Sequence, residues 1–218
     1  MKIFLKILGS IILIILLALV GYELYRVILW GIGDWKLYIW LFIGVAAYFL
    51  LRLLFRKNEK WLQTFSHELS HTIVGFFFFK KIHSFQAKEG TGEIWHSGSG
   101  NIFISLAPYC LPIFTYLFLF LRLLSDPTKT YIFDIFIGFT LAFHILCFIK
   151  QTGKWQTDIT NHGVFLSYLF IITFALFNLL VVFLSIRMGV IDAFVYMFKS
   201  FWYDINGIWI RLMQIAHG

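Results

Sequence analysis

Residues 59–79 read EKWLQTFSHELSHTIVGFFFF, a polar motif that runs into a continuous apolar stretch. Two histidines four residues apart, His67 and His71, share one face of a helix, so both imidazoles can reach a single metal ion. Glu68, next to the first histidine, can act on a water molecule at such an ion. The stretch therefore predicts a helix that carries a metal site within or beside a lipid bilayer.

The composition of the whole chain also indicates a membrane protein. Hydrophobic residues make up 60% of the 218 residues and charged residues 13%, whereas soluble domains carry roughly 25% charged residues. The mean hydropathy is +0.83. Three prolines and no serine-rich or glycine-rich linker argue against a division of the chain. We therefore expect one membrane-embedded domain over residues 1–218, with its core at about 58–186.

Apolar runs separated by short polar segments predict an all-α polytopic membrane protein with five to six transmembrane helices. The first run, about residues 3–22, has no small-residue cleavage site after it, so a retained span is expected rather than a signal peptide. The C-terminal segment mixes aromatic and charged residues, which predicts an interfacial helix pair or one short span. The remaining apolar runs cover about 37–55, 102–124, 131–149 and 164–186.

The net charge of +7 comes from basic residues that lie between the apolar runs rather than on one face. Such residues set the orientation of spans and meet anionic lipid head groups, so no nucleic-acid partner is expected. The strongest cluster follows the second run and consists of Arg52, Arg56, Lys57 and Lys60. This cluster indicates the cytoplasmic ends of the neighbouring spans.

Residues 80–101 interrupt the apolar pattern with a polar, glycine-rich segment, KKIHSFQAKEGTGEIWHSGSGN. Two short alternating stretches, IHSFQA and GEIWHS, flank the glycines and predict a β-hairpin followed by a flexible turn. His83 and His96 belong to this hairpin, where a surface or substrate-edge position is expected for both.

A catalytic zinc ion takes three protein ligands and leaves one position for water, so a third ligand must join His67 and His71. Asp158 is the first candidate, because it lies in a polar break directly before an apolar helix and carboxylates near membrane depth tend to be functional. The alternative is a solvated aspartate that caps the next helix. His144, within the apolar run LAFHILCF, is either a ligand or a hydrogen-bonding group between helices. His162, in TNHG, is either a loop residue or a ligand in place of Asp158.

These motifs resemble the site-2-protease family of intramembrane zinc metallopeptidases, and most closely its short bacterial branch without a PDZ domain. The resemblance is carried by HELSH, the glycine-rich hairpin, the passage from SGSGN into LAPY, and a late aspartate before an apolar helix, over roughly residues 58–186. It implies one zinc ion per chain held by His67, His71 and Asp158, with Glu68 as general base. It also implies that the hairpin pairs with an unwound substrate strand.

One feature departs from the family pattern, in which the late aspartate is usually followed by glycine and an Asn-Pro pair is often nearby. Here Ile159 follows Asp158. His144 and His162 therefore stay open as alternative third ligands. The candidate substrate-binding residues are Asn101, Asn161 and His96.

The order of the segments raises a topological difficulty for Asp158. If the motif helix and the segments 102–124 and 131–149 each cross the membrane fully, Asp158 emerges on the side opposite His67 and His71. Zinc bonds of about 2 Å cannot bridge that separation. Either one segment is re-entrant, with the Pro108–Pro112 region as the expected place, or Asp158 is not a ligand.

The sequence thus predicts an integral membrane protease, expected in the inner membrane of a prokaryotic cell, that uses zinc to hydrolyse peptide bonds of transmembrane or membrane-proximal substrates. The alternatives are a membrane protein that binds metal without proteolysis and a degenerate family member that acts as a partner subunit. The presence of Glu68 favours the enzyme, because a structural metal site has no use for a base.

Overall fold

The computed structural model describes residues 2–54, 59–88, 91–96, 100–153 and 155–217. Arg56 and Lys57 of the basic cluster lie outside the described residues, as does most of the turn predicted after the hairpin. The described chain is predominantly helical, and its strands form one hairpin. Its helices are α1 (Lys2–Gly33), α2 (Ile39–Leu54), α3 (Glu59–Phe77), α4 (Ile102–Cys110), α5 (Ile113–Leu123), α6 (Thr130–Gln151), α7 (Thr157–Thr160), α8 (Val164–Met188) and α9 (Val190–His217).

Four helical segments of the described chain are long and apolar enough to cross a membrane. A fifth is added if α4 and α5 are counted together as one broken span. The all-α polytopic fold is therefore confirmed, with four to five spans in place of five to six. The difference arises at α4 and α5, which form a sharply bent pair, and at α9, which is not among the candidate spans of the described chain. The four segments are Phe4–Gly33, Trp35–Leu54, Pro127–Gln151 and Val164–Met188.

The segment predicted as one helix over 102–124 consists of two helices that meet at an angle of 78°. The bend lies at Leu111 and Pro112, where Leu111 is extended and Pro112, which has no amide proton, precedes α5. The expectation of a broken segment in the Pro108–Pro112 region is thus confirmed. This bend changes the path of the chain between the motif helix and Asp158.

Helices α2 and α6 approach each other closely through a pair of glycines. A side chain at Gly44 would collide with the backbone of α6 at Ile135, and a side chain at Gly138 would collide with the backbone of α2 at Leu41. Small residues permit this kind of contact between membrane helices. Near its end, α6 contacts the start of α3, where Nζ of Lys150 lies 3.4 Å from Oε2 of Glu59.

Helix α3 ends two residues earlier than predicted, at Phe77. Phe79 takes a left-handed conformation (φ 55°), and the amide of Lys80 donates to the carbonyl of Gly75 at 2.9 Å. This pattern closes the helix and redirects the chain into the hairpin.

The predicted hairpin is present as two antiparallel strands, β1 (Ile82–Lys88) and β2 (Thr91–His96). Both strands pack on α3, and the ring of Phe85 contacts that of Phe65 with centroids 5.8 Å apart. Gly92 pairs with Ala87 near the turn. The hairpin therefore lies against the helix that carries the HELSH motif.

The C-terminal segment is a single helix, α9, so the expected helix pair is wrong. No proline interrupts residues 190–217, and Gly207 alone is tolerated inside a helix at modest cost. The alternative of a short span is not supported either, since α9 is absent from the candidate spans of the described chain.

Candidate metal centre

The two histidines of the HELSH motif project together from the middle of α3. Their Nε2 atoms are 3.3 Å apart, and their rings meet edge to face with centroids 4.9 Å apart. The four-residue spacing on a helix accounts for this proximity. His67 and His71 thus present two nitrogen atoms to one point in space.

Asp158 completes the group from α7, a short helix between α6 and α8. Its Oδ2 lies 3.7 Å from Nε2 of His67 and 3.7 Å from Nε2 of His71. Among the described residues, these three form the one group that could hold a metal ion, with ligand atoms within 4.8 Å of one another. The fold that contains the bend between α4 and α5 therefore brings Asp158 back to the level of the HELSH motif.

Ile159, the residue directly after Asp158, anchors α7. Its side chain is fully buried beside Leu106, Tyr109 and Ile171, and its carbonyl accepts a hydrogen bond from Oγ of Ser167 at 2.9 Å. Burial of such a side chain contributes about 1.5–3 kcal/mol. The burial of Ile159 thus holds α7, which carries Asp158, against the core.

Asp158 and His71 shift each other's pKa. Burial alone would raise the pKa of Asp158, but the neighbouring imidazoles of His67 and His71 hold that pKa well below its usual range. Burial alone would lower the pKa of His71, but the nearby carboxylate of Asp158 and the carbonyl of Ile104 raise it. The aspartate is consequently a carboxylate at neutral pH.

Groups outside the cluster orient both imidazoles. Nδ1 of His71 lies 2.8 Å from the carbonyl oxygen of Ile104, and Nδ1 of His67 lies 3.4 Å from Oε1 of Gln151. In the neutral rings, each oxygen accepts a hydrogen bond from Nδ1–H, which leaves Nε2 with the lone pair that a metal ion needs.

The three donor atoms fit a zinc ion. Bonds of about 2.0–2.2 Å in tetrahedral geometry separate donor atoms by roughly 3.3–3.6 Å, and the separations here are 3.3, 3.7 and 3.7 Å. Two imidazoles and one carboxylate also match the donor types of hydrolytic zinc sites. His67, His71 and Asp158 could therefore hold zinc without rearrangement of the backbone.

Glu68 is 8% exposed and lies beneath the hairpin. An ideal Cβ built on Gly92 would lie 2.6 Å from both Cγ and Cδ of Glu68, closer than real atoms approach. The carboxylate also acts electrostatically on His71. Strand β2 thus covers the glutamate at a position where only glycine fits.

The other predicted ligands are not in the group. His144 lies on α6 and is not a member of the group, and His162 has its Nε2 3.1 Å from Oγ of Ser105. Burial and the nearby charge of Lys6 lower the pKa of His162. His83 is exposed on β1. The side chain of His96 lies outside the described residues.

The two predicted asparagines have different environments. Asn101 caps α4, because its Oδ1 accepts a hydrogen bond from the amide of Ile104 at 2.9 Å. Asn161 is exposed just after α7. A contact of either residue with substrate stays a prediction.

Sequence reasoning missed two side chains that contact the group. Gln151, at the end of α6, contacts His67. The hydroxyl of Tyr109 lies 3.2 Å from Oδ2 of Asp158, and its ring meets that of His67 edge to face. The LAPY segment that contains Tyr109 was noticed only as part of a family resemblance, and nothing in its local pattern indicates these contacts.

Comparison with known proteins identifies the family of this chain. No curated protein and no solved structure matched the chain. A family profile described as Peptidase M50B-like matches residues 40–205, which include α3, the hairpin, α4 and α7. Because this match covers well over half of the sequence, the chain belongs to the Peptidase M50B-like family of metallopeptidases.

Proposed function

We propose that this protein is a zinc-dependent protease, with one zinc ion per chain, that hydrolyses peptide bonds in transmembrane or membrane-proximal segments of other proteins. The observation that carries the proposal is the convergence of His67, His71 and Asp158 beside the buried Glu68. Hydrolytic zinc sites combine three protein ligands with a nearby base, whereas structural zinc sites take four protein ligands. Membership in a metallopeptidase family supports the same function.

The ligands would be Nε2 of His67, Nε2 of His71 and Oδ2 of Asp158. Zinc in such a site lowers the pKa of a bound water towards about 7 and polarises a carbonyl oxygen. The exposed fractions of the three side chains lie between 13% and 28%. This exposure supports access of water, which hydrolysis requires, although the surrounding helices are mostly apolar.

Glu68 has the role of general base. Its carboxylate takes a proton from the attacking water and delivers it to the nitrogen of the leaving amine, so the glutamate ends the cycle as it began. The backbone of β2 at Gly92 packs on this side chain. That contact restricts the positions that the carboxylate can adopt.

The hairpin provides a place where an extended substrate can bind. Within the described chain, the sheet has two strands, so each strand keeps one edge without a partner strand. Such an edge can accept an extended peptide through backbone hydrogen bonds. A transmembrane helix must unwind before it can bind in this way, so substrates with glycine near the cleaved bond are expected.

The test replaces Glu68 with glutamine, which keeps the size of the side chain and removes the base. The assay uses protein reconstituted in liposomes and a fluorogenic peptide of about 20 apolar residues with a central glycine. Glu68→Gln should lower cleavage by 100-fold or more, in line with the roughly 10²–10⁴-fold contribution of a general base. The zinc content should stay at one ion per chain.

Glu59→Gln is the matched control, because it makes the same change on the same helix outside the metal group. It should leave cleavage near the wild-type level. Equal cleavage by wild type and Glu68→Gln would contradict the protease and support a role in metal binding alone. A folded wild type that takes up no zinc would contradict both functions.

A further inference from the structure

Pro108 lies inside α4, where a proline leaves the carbonyl four residues earlier without its usual helical donor. That carbonyl belongs to Ile104, which is 1% exposed. A buried carbonyl requires a hydrogen-bond partner. Here the partner comes from another helix, because Nδ1 of His71 lies 2.8 Å from the Ile104 oxygen. The position left open by Pro108 is therefore taken by a candidate metal ligand.

This contact determines which nitrogen of His71 faces the site. A carbonyl oxygen can only accept a hydrogen bond, so the proton of the neutral ring is on Nδ1. Nε2 then keeps its lone pair and points towards Nε2 of His67 and Oδ2 of Asp158. The Ile104 carbonyl thus selects both the tautomer and the ring orientation that a metal ion requires.

The effect of Pro108 on the helix is local. Before the proline, the amide of Ser105 donates to the carbonyl of Asn101 at 3.0 Å, and beyond it the amide of Leu111 donates to the carbonyl of Ala107 at 2.8 Å. The sharp bend of this segment comes later, at Leu111 and Pro112. The bend therefore does not explain why position 108 is a proline.

We infer that Pro108 is a positioning residue for the metal centre, because the missing amide proton at this position reserves the Ile104 carbonyl for His71. The inference rests on the proposed function, since it assigns Pro108 to the zinc site. An alanine at position 108 would supply an amide that competes with His71 for this carbonyl. The helix itself would not suffer, because alanine favours helix more strongly than any other residue.

The experiment compares wild type, Pro108→Ala and Pro112→Ala. Pro112→Ala is the control, since it makes the same change in the same segment without supplying a donor for Ile104. Zinc affinity is measured by competition with a chelator, and thermal unfolding is followed in the same detergent. The tautomer of His71 is measured in the metal-free proteins by NMR with ¹⁵N-labelled histidine, with His71→Gln to assign the signal.

Pro108→Ala should bind zinc about 10-fold more weakly, at the lower end of the range for lost contacts to metal ligands. Its unfolding temperature should equal or exceed that of wild type, and His71 should shift from the Nδ1–H form towards a mixture of tautomers. Pro112→Ala should retain both the zinc affinity and the tautomer of wild type.

Two results would overturn the inference. One is a Pro108→Ala protein that retains the zinc affinity and the His71 tautomer of wild type. The other is a fall in affinity with an unchanged tautomer, because the proline would then act through the shape of the helix rather than through the Ile104 carbonyl. A wild type that binds no zinc would refute the proposed function, while the tautomer comparison would still decide whether Pro108 orients His71.

Discussion

The hydroxyl of Tyr109 donates a hydrogen bond to Oδ2 of Asp158 at 3.2 Å, and this oxygen is the one that lies 3.7 Å from Nε2 of both His67 and His71. The ring of Tyr109 also packs edge to face on His67, with centroids 5.3 Å apart. One fully buried side chain therefore contacts two of the three candidate ligands. The hydroxyl holds the carboxylate in the rotamer that faces the imidazoles.

Replacement of Tyr109 by phenylalanine should weaken zinc binding by about 10-fold, because the carboxylate of Asp158 loses the donor that orients it. The aromatic ring and its contact with His67 remain. Zinc affinity measured by chelator competition checks this expectation, and the absorption spectrum of the cobalt-substituted protein reports any change in ligand geometry.

Tyr116→Phe provides the matched control. Tyr116 lies on α5 and donates to Oδ1 of Asn178, so the change removes a hydrogen bond between helices away from the metal group. It should affect stability more than zinc affinity. If Tyr116→Phe and Tyr109→Phe reduced zinc affinity to the same extent, the special role of the Tyr109 hydroxyl would be refuted.

Replacement of Gly92 by alanine should slow catalysis without loss of zinc. The new methyl group would overlap the side chain of Glu68, so either the carboxylate or strand β2 must move. A displacement of about 1 Å at a catalytic group can cost on the order of 100-fold in rate. Cleavage rate and zinc content of the same preparation check the two parts of this expectation.

The control for this change is Gly75→Ala on α3. A Cβ at Gly75 would meet Cβ of Lys80 at 3.8 Å, an ordinary van der Waals contact. Its cleavage rate should stay close to that of wild type. A Gly92→Ala enzyme with an unchanged rate would show that the close approach of β2 does not position Glu68.

Local patterns predicted most of the helices and the hairpin, because apolar runs, alternation and glycine punctuation act over short stretches of sequence. The two prolines near residue 110 likewise predicted the break between α4 and α5. The pair of helices expected after α8 was wrong, because a mixed aromatic and charged composition does not by itself indicate where a helix ends. Residues 190–217 contain no proline and continue as one helix.

The candidate site was only partly readable from the sequence. HELSH has a fixed spacing on one helix, so His67 and His71 follow from periodicity alone. Asp158 could be assigned to the group only from the fold, because a full crossing of every apolar segment would have placed it on the other side of the membrane. Tyr109 and Gln151 contact residues 49 and 84 positions away in the chain, and such contacts have no local signature.

The start of α3 is held by charges whose effect should depend on pH. Glu59 accepts a hydrogen bond from the hydroxyl of Tyr48 at 3.0 Å and pairs with Arg52 at 2.9 Å and Lys150 at 3.4 Å. Burial alone would raise the pKa of Glu59, but these partners lower it below its ordinary value. The contacts join α2, α3 and α6 next to the metal group.

A carboxyl group whose pKa is lower in the folded protein stabilises the fold above its unfolded pKa, about 4.3, and loses this contribution as the pH falls through the folded value. At pH 7, Glu59→Gln should therefore unfold about 3 °C below wild type, as expected for a loss near 1 kcal/mol in a chain of this size. The difference should shrink as the pH is lowered from about 5 to about 3, because Glu59 becomes neutral in the wild type as well. Asp192→Asn is the control, since Asp192 also lies in the first turn of a helix but is exposed. An equal difference at pH 7 and pH 3 would mean that the charge of Glu59 does not stabilise the start of α3.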